Sequence, residues 1–206
     1  MNKGYANIRR SAIRRMLRYP AVALASHWVF QGLLYMDSTE RWLKLVLDIL
    51  LTIIGATALR KWLPVKIAWL GSFLLAHTLN FLFNGQLWGV LKHYKGTSNS
   101  LEGFQNYAMG IQNRLFTESS IDYVAVYGSA VREGLKSSSD LDVRVVAQPG
   151  RVNALMASWI VLKERTRALF CRFPLDIYAF NNRNSLQRMR IDEKPWVLID
   201  RTKNTH

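Results

Sequence analysis

Acidic residues are almost missing from the first half of this chain, and cysteine is nearly missing from all of it. Residues 1–100 contain 13 Lys or Arg and only 3 Asp or Glu, whereas residues 101–206 contain 15 and 11. The formal net charge of +14 therefore lies mainly in the first half. The most basic segment, 1–18, fits three interpretations that stay open: a flank that binds anionic lipid, an arm that binds nucleic acid, and a transit-type presequence.

The scarcity of cysteine limits the covalent chemistry of the fold. Cys171 is the only cysteine, so a disulfide within the chain is excluded, which is compatible with a reducing compartment. Because Phe170 and Phe173 lie beside it, we expect Cys171 to be a small buried thiol and not a catalytic one.

Three long apolar stretches precede residue 92. They cover residues 20–36, 42–59 and 63–91, and the last two approach the roughly 20 apolar residues that a spanning helix needs. Trp42, Trp62 and Trp88 lie near the ends of these stretches, as interfacial aromatic residues do. We therefore predict that residues 1–95 form a basic arm and an all-α, multi-pass membrane region in contact with lipid.

The distribution of basic residues leaves two topologies open. One crosses the membrane at 20–36 and 43–59 and keeps 63–91 as a hairpin or interfacial element. The other crosses at 43–59 and 67–87, with 60–66 outside. Both place the C-terminal part in the cytoplasm, where nucleoside triphosphates are found.

Polar residues inside the apolar stretches have a regular spacing. His77, Asn80 and Asn84 form a stripe at helical spacing, for which contacts between helices are favoured over a ligand site. Lys44 and Asp48 are four residues apart, so they are expected to pair on one helical face.

Residues 96–100, with the sequence GTSNS, read as a linker to a second domain at 101–206. That domain alternates apolar strand patterns with helical ones, which predicts an α/β sheet. The strands are expected at 121–127, 141–146, 175–180 and 196–200, and the helices at 101–117, 129–135 and 152–170, followed by a loop at 181–184 and a short basic helix to residue 190.

The chemistry is expected around the first two strands. The first strand ends at Gly128-Ser129, and Asp140 and Asp142 open the second. Alternate side chains of a strand share one face, so these carboxylates would project together and suit a hard cation. Gly128 allows a sharp turn, and Ser129 would begin a helix whose free N–H groups attract phosphate.

Gly128-Ser129 followed by Ser139-Asp140-Leu141-Asp142 resembles the signature of the DNA polymerase β-like nucleotidyltransferase superfamily. That group includes poly(A) polymerases, CCA-adding enzymes, aminoglycoside nucleotidyltransferases and minimal nucleotidyltransferases. The resemblance implies an α+β mixed-sheet nucleotidyltransferase fold, in which the Gly-Ser pair contacts the triphosphate and the two Asp residues bind two Mg²⁺ ions, with Mn²⁺ as a substitute. Many relatives have Gly four residues after the Ser, where this chain has Glu133.

The resemblance also implies a third carboxylate on a neighbouring strand, and Asp176 stands at that position. Asp140, Asp142 and Asp176 would then be the catalytic and metal-binding residues, with Asp176 facing the acceptor hydroxyl. The residues expected to bind the nucleotide are Gly128, Ser129, Arg132, Lys136 and Arg144. Arg144 is equally interpretable as a structural partner of the carboxylates.

These residues indicate a membrane-anchored nucleotidyltransferase that uses a nucleoside triphosphate and a small or lipid-linked acceptor. Nucleotidylation of a partner protein, as in antitoxins of the superfamily, and a non-catalytic nucleotide-sensing or interaction module are the alternatives. The catalytic part has only about 100 residues, so processive nucleic-acid binding is not expected. Association of copies through the membrane helices also stays open.

Overall fold

The computed structural model describes residues 20–85, 87, 100–131, 139–188 and 194–204. It confirms the mixed α/β class, because a four-stranded sheet is combined with long helices. The helices are α1 Pro20–Phe30, α2 Ser38–Leu59, α3 Val65–Phe83, α4 Leu101–Phe116 and α5 Arg151–Phe170. The strands are β1 Ile121–Tyr127, β2 Leu141–Ala147, β3 Leu175–Phe180 and β4 Trp196–Asp200. Short 3₁₀ helices are formed by Gly128–Ala130, Arg183–Arg188 and Arg201–Asn204.

The sheet has the strand order β3-β2-β1-β4. Strand β1 is antiparallel to β2 and to β4, whereas β2 and β3 are parallel and are joined by α5. A parallel connection requires a crossover of this length. One face of the sheet forms the main core against α4 and α5, with buried residues that include Phe104, Ile111, Leu115, Val124, Val126, Val143, Val145, Val161 and Ile177.

The other face of the sheet is aromatic and carries the polar residues of interest. Tyr123, Tyr127, Tyr178 and Phe180 are buried there, together with Met36 from the turn between α1 and α2. Strand alternation explains the division, since odd and even positions of β2 and β3 point to opposite faces. The turn at 31–37 therefore lies over the sheet face opposite to α4 and α5.

Helices α2 and α3 form an antiparallel hairpin, and both are long and apolar enough to cross a membrane. Most of their apolar surface is outside the protein core. Only 11% of the most apolar 18-residue segment of α2 is buried, and 28% of that of α3. The two helices approach closely at Gly55, where an added Cβ would lie 3.0 Å from Ser72 Oγ. Trp42, near the start of α2, and Trp62, in the turn that follows it, are both exposed.

Helix α1 is shorter than the apolar stretch 20–36 suggests. Its 11 residues extend about 16 Å, roughly half of the hydrocarbon thickness of a bilayer. The chain leaves the helix at Phe30, because Gln31 and Gly32 both have positive φ. Both topologies stay predictions, because α2 and α3 pass the test for a spanning helix by length and composition alone.

The polar stripe in the hairpin joins helices, as the spacing of His77, Asn80 and Asn84 predicts. His77 Nδ1 lies 2.9 Å from Asp48 Oδ2, and Asn80 Nδ2 donates to Asp48 Oδ1 at 2.8 Å. Lys44 Nζ donates to Asn80 Oδ1 at 3.4 Å. Lys44 and Asp48 were expected to pair with each other, but both bond to Asn80, since α3 packs against the helical face on which they lie.

A second group of polar contacts joins the hairpin to the sheet. Arg165 of α5 makes an ion pair with Glu40 of α2 at 2.6 Å and donates to Asn84 Oδ1 at 3.0 Å. Glu40 Oε2 accepts the Ala179 N–H of β3 at 2.8 Å, and Asp37 Oδ2 accepts the Asn181 N–H at 3.0 Å. The helical hairpin is therefore bonded directly to the strand that carries Asp176.

One local expectation was wrong, and a second is described only in part. Gly128–Ala130 forms a 3₁₀ helix without a side-chain cap, and residues 132–135 of the helix predicted at 129–135 lie outside the described ranges. Cys171 is exposed and not buried, because it caps the end of α5 beyond the last core residue of that helix.

Candidate functional site

Asp142 and Asp176 lie next to each other on the aromatic face of the sheet. They are direct partners in the register of the parallel strands β2 and β3. Their side chains are 23% and 31% exposed, so one side of the pair is open to a ligand. The structure therefore brings together two carboxylates that are 34 positions apart in the sequence, on strands whose regular pairing fixes their separation.

Arg144 holds this pair from the protein side. Its Nη2 lies 3.2 Å from Asp176 Oδ2 and 3.5 Å from Asp142 Oδ1. Its Nη1 donates to the backbone oxygens of Asp176 at 2.8 Å and of Val143 at 2.9 Å. With four acceptors around it and a side chain only 10% exposed, Arg144 has the geometry of the structural partner that the sequence left open.

Tyr178 keeps Arg144 in place and links it to α5. The Arg144 guanidinium carbon lies 5.1 Å from the centroid of the Tyr178 ring, and the Arg165 guanidinium carbon lies 4.8 Å from it. A cation within about 6 Å of an aromatic face is attracted to it. Burial strongly raises the pKa of Tyr178, so this residue acts as a neutral phenol.

The two carboxyls differ in their affinity for a proton. Burial and the charge of Asp176 raise the pKa of Asp142 to about 8, and the neighbouring Asp140 contributes in the same direction. Burial also raises the pKa of Asp176, but Arg144 and a hydrogen bond from Asp142 outweigh it and leave that pKa below its ordinary value. Asp142 and Asp176 therefore share a hydrogen bond, in which Asp142 has the higher affinity for a proton.

Gly128 allows the turn after β1 to approach the acid pair. Its φ of +76° is one that L side chains rarely adopt, and an added Cβ would overlap the Asp142 carboxylate. The backbone of the Gly-Ser turn thus lies directly against the second strand's acid. The sequence predicted this proximity from the superfamily resemblance, and the missing side chain at Gly128 is what permits it.

The other predicted residues are placed less tightly. Asp140 precedes β2 and influences Asp142 through its charge, while Ser129 lies in the 3₁₀ turn. Arg132 and Lys136, both predicted to bind the nucleotide, lie outside the described residues, as does Glu133. The structure therefore brings Gly128, Asp142, Asp176 and Arg144 together, with Asp140 close by.

The donor chemistry of the site fits a divalent cation. Carboxylate oxygens are the preferred ligands of Mg²⁺, and an acid whose pKa is raised by burial and by its neighbour's charge would exchange its proton for a cation. Within the described ranges, however, no three His, Cys, Asp or Glu side chains converge closely enough to form a ready-made metal cluster. Arg144 supplies part of the positive charge that an ion would bring.

Sequence reasoning missed the residues behind the site. Glu40, Arg165 and Tyr178 connect the hairpin to the acid pair, and Tyr35 lies beside Tyr178 with ring centroids 6.2 Å apart. A usable signal was the alternation of β3, which assigns Tyr178 to the face of Asp176. The sequence signal for Glu40 was weaker, because it consisted only of an acidic residue near the start of an apolar stretch.

Comparisons of the chain with protein-family models, with curated proteins and with solved structures gave no match in any of the three. The functional argument therefore depends on the residues of the site themselves.

Proposed function

We propose that this protein is a membrane-anchored nucleotidyltransferase. It would move a nucleoside monophosphate from a nucleoside triphosphate to a hydroxyl of a small or lipid-linked acceptor. The observation that carries the proposal is the side-by-side arrangement of Asp142 and Asp176 on parallel strands, with Gly128 against Asp142. These three residues come from separate segments, and the superfamily resemblance implies that they belong to one site.

The acidic residues would hold Mg²⁺, with Asp142 and Asp176 as the main ligands and Asp140 beside them. When bound, the cation neutralises the charge of the phosphates and of the attacking oxygen. Gly128 and Ser129 would contact the triphosphate, as the superfamily resemblance implies, and the missing side chain of Gly128 would permit a close approach. Arg144 keeps the carboxylates of Asp142 and Asp176 at a fixed separation.

The transfer itself is an in-line displacement at the α-phosphorus. A bond forms between the acceptor oxygen and that phosphorus, the bond to the bridging oxygen of the β-phosphate breaks, and pyrophosphate leaves. Asp176 would accept the proton of the acceptor hydroxyl, because Arg144 favours its ionised form. Positioning and charge neutralisation supply most of the rate enhancement in such a reaction.

The membrane anchor of the proposal is the hairpin of α2 and α3. From Trp42 to Leu59, α2 is about 27 Å long, which is close to the roughly 30 Å of a hydrocarbon core. Its outward apolar side chains, such as Ile49, Leu50 and Ile54, would face lipid. The polar contacts of Glu40 and Asp48 face the protein side, where bonding partners are available. The catalytic domain would lie on the cytoplasmic side.

One observation favours a second candidate, a non-catalytic nucleotide-sensing module. Arg144 already neutralises part of the charge of Asp142 and Asp176, and a ready-made metal cluster is not found in the part of the chain that is described. A site of this kind would bind a nucleotide without transferring it. The two candidates differ in one measurable outcome, the formation of a labelled product.

The test uses the full-length protein in detergent with each of the four α-³²P nucleoside triphosphates, Mg²⁺ and a lipid extract of the producing cells. Label in the lipid fraction that is lost in Asp142→Asn supports the proposal, with Glu102→Gln, an exposed acid on α4, as the matched control. Label on a protein band indicates nucleotidylation of a protein. Nucleotide binding without any transfer favours the sensing module and overturns the enzyme.

A further inference from the structure

The turn at 31–37 crosses the sheet face that carries the acid pair. Met36 is 3% exposed and packs in the same cluster as Tyr178, and the Tyr35 ring lies 6.2 Å from the Tyr178 ring. Tyr178 in turn contacts Arg144, which bonds to Asp142 and Asp176. Tyr35 is therefore separated from the acid pair by only two side chains.

Two neighbouring side chains of this turn remain uncovered. Leu34 is 75% exposed and Tyr35 is 72% exposed, although Gln31 and Met36 on either side of them are buried. Exposing large apolar side chains to water is unfavourable by about 25 cal/mol per Å². A pair of them on a turn that packs against the face of the acid pair therefore suggests an apolar occupant.

The turn holds these side chains in a fixed position. The Gln31 amide donates to the backbone oxygen of His77 at 2.8 Å, and Arg41 donates to the backbone oxygen of Met36 at 3.0 Å. Asp37 accepts the Asn181 N–H beyond the end of β3 at 3.0 Å. The turn is thus bonded to both helices of the hairpin and to the strand of Asp176, so Leu34 and Tyr35 are presented by a rigid segment.

The same turn lies near the level expected for the membrane surface. Asp37 caps α2, and exposed Trp42 follows it by five residues, or about 7.5 Å along the helix. Exposed Val29 and Phe30 of α1 precede the turn. The exposed apolar side chains thus occur along one stretch of chain, 29–42, that leads from α1 through the turn into the hairpin.

We propose that Leu34 and Tyr35 form the acceptor subsite, and that the acceptor is an amphiphile with an apolar chain and a hydroxyl-bearing headgroup. The chain would lie along Phe30, Leu34 and Tyr35, and the hydroxyl would reach Asp176. The apolar surface favours this occupant over a soluble hydroxyl compound, which would not need it. This inference rests on the nucleotidyl transfer proposed above and specifies its acceptor.

The first experiment locates the subsite without requiring activity. Full-length Tyr35→Cys in a Cys171→Ser background is labelled with bimane and reconstituted in phosphatidylcholine–phosphatidylglycerol vesicles at 3:1. Lipids with a nitroxide near the headgroup should quench this label at least about twofold more than the same label on Glu102→Cys, an exposed position of α4. Equal quenching would overturn the subsite. Dimers crosslinked through the introduced thiol, without quenching, would assign the surface to a second copy.

The second experiment measures the acceptor. The lipid extract is incorporated into the same vesicles at varied mole fraction, and label transfer is followed for Leu34→Ala, Tyr35→Ala, Tyr35→Phe and Trp62→Ala. The two alanine variants at the subsite should raise the KM for the lipid acceptor about tenfold, as expected for loss of one apolar contact, and leave the KM for the nucleotide unchanged. Tyr35→Phe and Trp62→Ala should behave as wild type.

The outcomes separate the two proposals. Transfer to lipid with an unchanged KM in Tyr35→Ala would overturn the subsite and leave the nucleotidyltransferase intact. Transfer to a water-soluble hydroxyl compound, unaffected by Tyr35→Ala, would do the same. The absence of transfer from every nucleotide to any acceptor would overturn both.

Discussion

Glu40 of the hairpin and Arg165 of α5 form an ion pair at 2.6 Å between side chains that are 4% and 3% exposed. Glu40 Oε1 faces the Arg165 guanidinium, while Oε2 accepts the Ala179 N–H of β3. Removing one charge would leave the other buried without compensation. The pair therefore determines whether the hairpin stays attached to the sheet.

Glu40→Gln is expected to lower the free energy of unfolding by about 3–5 kcal/mol, the usual cost of breaking a buried ion pair. The measurement is thermal or urea unfolding of the full-length protein in detergent. Glu40→Gln combined with Arg165→Met should recover part of the loss, because no uncompensated buried charge remains and the amide oxygen introduced at position 40 can still accept the Ala179 N–H. Arg167→Met, on the exposed side of α5, should stay within about 0.5 kcal/mol of wild type. A double variant no more stable than Glu40→Gln would contradict the account.

The stability of the cation-free protein should depend on the ionisation of Asp142. Its pKa rises from 3.8 to about 8 on folding, so the folded protein retains a proton that the unfolded chain releases. This contribution is complete below about pH 4 and is lost as the pH rises towards 8. Asp176, with a lowered pKa, acts oppositely and only at acidic pH. The free energy of unfolding, measured from pH 5 to 8, should fall by up to about 1.4 kcal/mol per pH unit.

Asp142→Asn supplies the control for this pH dependence. The amide cannot ionise, so the slope between pH 5 and 8 should flatten in the variant. A wild-type stability that increases over the same range would show that Asp142 is already ionised in the folded protein.

Binding of Mg²⁺ should compete with the same proton. Below pH 8 the apparent affinity is expected to rise by up to about tenfold per pH unit, because the cation binds the ionised form of Asp142. Calorimetric titrations in buffers of different ionisation enthalpy should detect release of about one proton per Asp142 occupied. Affinity that does not vary with pH, or that survives in both Asp142→Asn and Asp176→Asn, would place the cation elsewhere.

Gly128→Ala should damage the site although it adds only a methyl group. The φ of +76° and the overlap with the Asp142 carboxylate both oppose a side chain there. We expect a loss of about 1–3 kcal/mol in unfolding free energy and of measurable Mg²⁺ binding. Gly71→Ala is the matched control, because nothing lies within 4 Å of an added Cβ on that helical glycine and the change should be neutral or slightly stabilising. Equal effects of the two substitutions would refute the role of Gly128.

The two ends of the hairpin should lie on opposite sides of the membrane. Trp62 follows α2 and is 76% exposed, whereas Cys171 is an exposed thiol at the end of α5. In intact cells, a membrane-impermeant maleimide should label Trp62→Cys in a Cys171→Ser background and should leave wild-type Cys171 unlabelled until the cells are opened. Labelling of both positions, or extraction of the protein by carbonate alone, would contradict a spanning hairpin.

The parts of the site that follow from local patterns could be predicted from the sequence. Alternation in β2 and the apolar pattern of β3 placed Asp142 and Asp176 on strands, and the superfamily resemblance made them neighbours beside Gly128. All four predicted strands coincide with the observed ones to within one residue. These features depend on residues close together in the chain, where the spacing carries the information.

The contacts between distant segments could not be read in the same way. The ion pair of Glu40 with Arg165 joins residues 125 positions apart, and nothing in their local sequences relates them. The turn at 31–37 was assigned to an apolar membrane stretch, because the positive φ of Gln31 leaves no signature in composition.

The bonds from Glu40 and Asp37 to the backbone of β3 and the residue after it also protect the outermost strand of the sheet. A fragment that begins at residue 100 would lose both carboxylates and leave that strand with unsatisfied N–H groups, a template for pairing with another chain. Residues 96–99, predicted as a linker, lie outside the described ranges, and this boundary is a poor place to divide the protein. A shortened protein made there is expected to aggregate unless a substitute shields the outer strand.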